Sequence, residues 1–256
     1  MPRAAKMKPV KPRSKRTAKR NVPKHEYKAT IRFPNESPAY RRARDRLLGA
    51  EVELRRCIEA VAAARRALPV GGKLPEDYAF DSVSGPVPLS QLFQPGKRSL
   101  LIYSFMYGPE MARACPSCTS ILDALDGSVD HVNQQSTLVV VAKSPLPRIL
   151  EHAKTRGWHR LTLLSSANNT YNRDYHAEHP KWGQMPILNA FVKDGATVRH
   201  TWGTELLYAP TEPGQDGRHV DMIWPLWNLL DCTIDGRGTD WRPKLEYAGG
   251  KPGCCG

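Results

Sequence analysis

The hydrophobic pattern changes period along the chain. Between Ser37 and Leu68 the sequence is rich in Ala, Leu, Arg and Glu, and Leu47, Leu54, Ile58, Val61 and Leu68 recur at helical steps. This predicts one helix with a single apolar stripe. Ser37-Pro38 supplies a side-chain cap followed by proline at the first helical position, and Pro69 and Gly71-Gly72 end the helix. Such a stripe needs a cover, either the core domain or a second copy of the chain. Cys57 lies beside it and reads as a packed thiol.

After Gly72 the pattern becomes short apolar runs separated by turns. Tyr78-Ala79-Phe80 and Val87-Pro88-Leu89 flank Ser84-Gly85-Pro86 as a hairpin. Strands follow at 99–106, 137–142 and 161–164. A helix runs from Cys115 to about Leu125, and another from Pro147 to Arg156, closed by Gly157. Continuous apolar runs alternating with helices predict a mostly parallel sheet covered on both faces. The polar, aromatic stretch 165–176 suits the rim of a cleft. Ile187–Val192 and Thr197–Thr201 form a second hairpin through Lys193-Asp194-Gly195. Beyond Trp202 the pattern supports at most one short helix, near 225–230. The organisation is a tail (1–36), a helical arm (37–72), a core domain (73–205) and an irregular extension (206–256).

Charge changes this picture little once located. The formal net charge is +13, but residues 1–24 hold ten Lys/Arg and no acid, and without them it falls to +3. With Pro2, Pro9, Pro12 and Pro23 and few apolar residues, this tail is expected to be disordered, with weak nucleic-acid contact through phosphates as its available chemistry. No run approaches the ~20 apolar residues of a membrane span, and no signal-like segment opens the sequence. Six cysteines, at 57, 115, 118, 232, 254 and 255, are too unevenly spread for a disulfide scaffold. The expectation is a cytoplasmic protein with one reactive pair and no membrane partner.

That pair is Cys115-Pro116-Ser117-Cys118. A cysteine at a helix N-terminus meets unpaired N–H groups and the helix dipole, which favour the thiolate. A second sulfur one turn on is placed to resolve a mixed disulfide. Cys115 is therefore the candidate nucleophile and Cys118 the resolving thiol, with Pro116 and Ser117 tuning the pair. The chemistry needs no cofactor beyond a redox-active Cys115–Cys118 disulfide. It needs a disulfide-containing protein or small molecule as substrate, and an external thiol reductant. A zinc site using the cysteines with His176 and His179 stays formally open. Cys232 and Trp158, Trp182, Trp202, Trp224, Trp227 and Trp241 read as packing or groove residues.

The order strand, CxxC helix, strand, helix, Pro-strand-turn-strand resembles the thioredoxin fold over Asp77–Trp202, in the extended form of the alkyl-hydroperoxide-reductase group. The fold class expected is α/β, a thioredoxin-like sandwich with a central mixed sheet flanked by helices, an N-terminal helical arm and an irregular C-terminal extension. The resemblance implies a cis proline, Pro186, facing Cys115, and a Met185 backbone able to pair with substrate. Thioredoxins carry a buried acid on the strand before the cysteines. Residues 99–106 have none, which leaves Glu110 and His176, with Tyr171 and Tyr175 beside it, as candidates for proton transfer.

Arg66-Ala67-Leu68-Pro69, Phe105–Pro109, the CxxC, Gly157-Trp158, Ser165-Ser166, Tyr171-Asn172 with His176, and Gly236-Arg237-Gly238 near Trp241 are similar to the bacterial domain-of-unknown-function 899 family, predicted dithiol–disulfide oxidoreductases with a thioredoxin-like core. A thiol-dependent peroxidase and a non-catalytic metal-binding protein of this fold are the alternatives. Arg113 stands where a peroxidase would want threonine. The Gly-rich Gly249–Gly256, with Cys254-Cys255, resembles mobile redox tails and is a candidate shuttle to Cys115–Cys118.

Overall fold

The computed structural model describes residues 29–211, 213, 221–238 and 240–247. The basic stretch 1–24 and the Cys254-Cys255 pair lie outside them. The chain forms two compact units, one ending at Arg66 and the other starting at Ala67.

The first unit is built on helix α1 (Pro38–Arg66). Its start follows the sequence signal: Ser37 Oγ accepts the Tyr40 N–H at 3.1 Å. Glu36 and Asp45 both pair with Arg41 across the first turns. Val52 is the buried residue of the helix. The stripe residues Leu47, Leu54, Ile58 and Val61 are 49–60% exposed, and Cys57 is exposed rather than packed.

In the second unit the elements are β1 (Ala79–Ser82), β2 (Gly85–Pro88), β3 (Ser99–Ser104), α2 (Pro116–Asp126), α3 (Val129–Val132), β4 (Thr137–Ala142), α4 (Leu146–Arg156), β5 (Thr162–Ser165), α5 (Tyr171–Asp174), β6 (Glu178–His179), β7 (Gly183–Gln184), β8 (Ile187–Asp194), β9 (Thr197–Gly203) and α6 (Pro225–Leu230). Seven strands make one sheet in the order β2-β1-β5-β4-β3-β8-β9. Only β3–β4 and β4–β5 pair in parallel; the other pairings are antiparallel. The sheet is thus mixed rather than mostly parallel, because a tight hairpin, β1–β2 or β8–β9, forms each flank. Strand β4 lies between two parallel neighbours and is buried at every position, which is why its sequence is continuously apolar.

Two cores lie on opposite faces, as strand alternation requires. Tyr103, Phe105, Val140, Ala142 and Leu188 point to the face covered by α2, α4 and α6. Leu100, Ile102, Val139, Val141 and Phe191 point to the other, covered by Tyr78, Leu89, Tyr171 and Tyr175. The extension is integral to the first core: Trp224 and Trp227 are buried there, and Trp224 Nε1 donates to Ser120 Oγ at 3.1 Å. Trp182 is 60% exposed and stacks on His179. Cys232 is exposed too, its thiol donating to Asn228 O. This is a thioredoxin-like α/β sandwich: β3 and β4 are joined through a helix that starts at the CxxC, and an antiparallel hairpin follows on the far side of β3.

No helix among the described residues is long and apolar enough to cross a membrane.

Candidate active site

Cys115 is the N-cap of α2 and Pro116 its first helical residue. The ring of Pro116 costs nothing there, since its missing N–H would have had no partner in the helix. Cys115 carries extended backbone angles (φ −63°, ψ 122°), and its carbonyl accepts the Thr119 N–H at 2.9 Å. Its own N–H donates to Met106 O at 3.1 Å, which fixes the cysteine against the chain leaving β3. Sequence and geometry agree on the helix start because the cap, the proline and the first helical hydrogen bond are all local to the turn.

The two sulfurs lie in unlike surroundings. Cys115 is half-buried, whereas Cys118 is 1% exposed, packed among Tyr103, Phe105, Ile121 and Leu122. The Cys118 thiol donates to Cys115 Sγ, and this is the main force bringing the Cys115 thiol down to about 6; burial opposes it, and the N–H groups of Cys118 and Ser117 add to it. Burial, followed by the effect of Cys115, pushes Cys118 well above the ordinary thiol range. One sulfur is thus poised as a thiolate near neutrality, while the other holds its proton.

Three side chains that sequence reasoning passed over complete the surroundings. The Tyr103 hydroxyl, on β3, is fully buried beside Cys118 and acts on its titration, yet forms no hydrogen bond of ordinary geometry within the described residues. His152, on α4, meets Thr119 Oγ1 at 3.2 Å and sits among Phe105, Tyr107 and Trp158. Burial, aided by the Arg156 charge, lowers its pKa, so the ring is neutral at neutral pH. Arg148 fastens the loop ahead of the cysteines: it donates to Gly108 O at 3.1 Å, to Met111 O and to Ala112 O, and lies 4.1 Å over the Tyr107 ring. Tyrosine at an apolar strand position and histidine on a helix read as ordinary packing, so the sequence held no signal for these roles.

A cavity of about 790 Å³ opens along Ala112–Ala114, the residues that precede Cys115. Tyr107, Ala114, His152 and Trp158 form its walls, together with Leu245–Tyr247 from the extension.

Other predicted residues fall as follows. Pro186 opens β8, whose Ile187 pairs with Ser104 at the end of β3, so it reaches the same end of the sheet as Cys115. The described residues contain no cis peptide bond, so the Met185–Pro186 bond is trans, contrary to what the thioredoxin resemblance implies; trans is also the intrinsically favoured form. The Met185 N–H is already spent on Ala177 O at 2.8 Å. Glu110 lies exposed in the turn ahead of the cysteines. His176 adopts a left-handed backbone (φ 58°), and its ring packs against Tyr208. Its expected companions Tyr171 and Tyr175 belong to the core on the sheet's other face, away from Cys118, because residues of that segment pack on Tyr78 and Phe191. Within the described residues, no three His, Cys, Asp or Glu side chains cluster in a way that could hold a metal ion.

Among solved structures, similarity extends to peroxidoxin BcpB of Mycobacterium tuberculosis (17% identity, 62% of this chain and 95% of that one, TM-score 0.40). A mutant peroxiredoxin Q of Xanthomonas campestris is also similar (11%, 64% and 97%, TM-score 0.42). So is the pneumococcal exposed lipoprotein thioredoxin of Streptococcus pneumoniae (13%, 59% and 99%, TM-score 0.37). No curated protein matches the sequence. The family described as "Bacterial protein of unknown function (DUF899)" matches residues 31–248, which take in the helical arm, the core and the segment lining the cavity, and the chain belongs to that family.

Proposed function

We propose that the protein is a dithiol–disulfide oxidoreductase working through Cys115 and Cys118. The observation that carries this reading is the division of labour between the sulfurs: an accessible thiol of lowered pKa at the start of α2, backed by a buried thiol of raised pKa. The Cys115 thiolate attacks a substrate disulfide, forming a mixed disulfide and releasing one substrate thiolate. With Cys115 bonded, Cys118 loses its proton and attacks Cys115 Sγ. The Cys115–Cys118 disulfide forms, and the second substrate thiol leaves with a proton. An external dithiol then returns the pair to its reduced state. Pro186 at the neighbouring strand end, and the cavity wall at Ala114, are where substrate would approach.

The test is a redox titration in defined dithiol/disulfide buffers, with alkylation and peptide mapping. A reversible two-electron couple on Cys115–Cys118, abolished by Cys115→Ser, is expected. In Cys118→Ser the mixed disulfide should accumulate. If Cys115 remains fully alkylatable at every potential, the reading fails.

A further inference from the structure

Two faces of α1 differ in how they are covered. Arg41, Asp45, Leu48 and Val52 follow one another at three- and four-residue steps and are partly or fully covered. Residues ahead of the helix engage this face: Ala29 N–H donates to Asp45 Oδ1 at 3.2 Å, and Arg41 pairs with Glu36. Another face carries Tyr40, Leu47, Leu54 and Val61, with Ala43, Ala50, Cys57 and Ala64 three residues after each. All of these are exposed. Each set recurs at every seventh residue, the spacing that keeps a seam turned toward one partner helix.

Large and small side chains alternate along this seam, and that alternation fits a copy of itself running the other way. With a two-fold axis between Arg55 and Arg56, Leu47 lies over the partner copy's Ala64, Leu54 over its Cys57 and Val61 over its Ala50. Every layer then sets one large residue on one small one, as close packing requires. The paired stretch, 45–66, is about 33 Å long. A parallel pair would instead stack leucine on leucine and alanine on alanine, leaving gaps at each alanine layer. Charge selects among the antiparallel registers. Moving the axis to Val52 gathers Glu51 and Glu53 of both copies around it, whereas here they flank Ile58 and Ala60 of the other copy. Arg44 and Arg65 meet only at the ends of the seam, where Arg44 is drawn over the Phe33 ring at 4.7 Å.

We propose that the Leu47–Leu54–Val61 face of α1 is a docking surface for a second copy of this chain, the two helices packing antiparallel with each large residue over the other copy's Ala50, Cys57 or Ala64. The patch is its own complement about a two-fold axis, so pairing closes at two copies and leaves no open end for further growth. It takes Leu47, Leu54, Ile58 and Val61 of both copies out of water, which is the driving force. Cys57, beside the axis, becomes a packed thiol only in the pair. This inference does not depend on the chemistry of Cys115 and Cys118.

Sedimentation of the full reduced chain tests this. A dimer is expected at about 50 μM, dissociating on dilution, and alkylation of Cys57 should slow about fivefold from dilute to concentrated protein. Leu54→Asp/Val61→Asp should give monomer. Because that pair of changes also taxes the helix, Ala50→Gln/Ala64→Gln is the second variant. Glutamine suits an exposed helix position but overfills the alanine layers, so pairing should weaken about tenfold or more. The register is read from Leu47→Cys/Ala64→Cys in a Cys57→Ser chain. Mild oxidation and peptide mapping should join 47 to 64, which lie about 25 Å apart along one helix and so can meet only between copies. A monomer at every concentration would overturn the proposal, as would a dimer unmoved by the glutamines. So would 47–47 and 64–64 links in place of 47–64, or a Cys57 protected equally at all concentrations, which would mean that the chain covers its own seam.

Discussion

Cys115 and Cys118 differ in chemistry because one residue caps a helix and the other faces into a core. With the Cys115 thiol brought down to about 6, its thiolate fraction rises as pH increases through 6 and is nearly complete at neutrality. Iodoacetamide labelling of Cys115 should therefore follow a titration with its midpoint near 6, falling about tenfold per unit below it. A midpoint near 8.5 would mean that the Cys118 hydrogen bond and the Ser117 and Cys118 N–H groups do not act on it. Tyr103 gives a second residue-scale prediction. Its buried hydroxyl has no ordinary partner in the described residues, so Tyr103→Phe should change folding stability by less than about 1 kcal/mol. A hydrogen bond to a charged group contributes about 1.5–3 kcal/mol, so loss of the hydroxyl beside a forming Cys118 thiolate should slow mixed-disulfide resolution about tenfold or more. Stopped-flow release of a chromogenic thiol from Cys115 reads this directly. The cysteines were legible in the sequence because a two-residue spacing after a strand is a local signal. Tyr103, His152 and Arg148 were not, because what they touch lies across the sheet or on another helix.

At the scale of elements, α4 governs the approach to the site. Gly157 (φ 72°) closes the helix in a left-handed conformation that glycine adopts freely, and the turn returns the chain to β5. Within α4, Arg148 satisfies three carbonyls of the loop at Gly108, Met111 and Ala112, while His152 and Arg156 face the cavity. Arg148→Ala should destabilise the protein by about 1–3 kcal/mol, since carbonyls held by a charged donor lose it. Limited proteolysis should then cut between 108 and 112 in advance of global unfolding; a loop as resistant as in the parent would show that other contacts hold it. Elements with strong internal patterns were readable: α1 from its stripe and cap, β4 from six consecutive buried residues, and β8–β9 from Asp194-Gly195. The two-residue strands β6 and β7 carry no pattern of their own. That Tyr171 and Tyr175, expected beside His176, lie in the core on the other face was not legible for a related reason: strand alternation assigns side chains to faces, but not which face a following loop will cover.

At the scale of the whole molecule, the sheet separates two interiors. Cys115 and Cys118 lie over one, and an aromatic and polar network of Tyr78, Tyr171, Tyr175, Asn189 and His200 fills the other. Both outer strands are also protected. The nitrogens of Pro86 and Pro88 in β2 have no hydrogen to donate. On the opposite side, β9 is covered by the segment around Gly72–Leu74, where His200 N–H donates to Gly72 O at 3.0 Å and Leu74 N–H to Val198 O at 3.2 Å. Replacing Pro86 and Pro88 by Thr should restore an open donor row and raise the rate of thermal aggregation severalfold, measured by light scattering, with little change in Tm. No change in scattering would mean that β2 is too short to template growth.

Blunted sheet margins have a consequence for an exchanger of disulfides. Where the substrate of the proposed reaction is a protein, its extended segments seek any unsatisfied strand to join. With both borders of its sheet closed, a molecule carrying out the proposed exchange would meet such chains without becoming the template on which they accumulate.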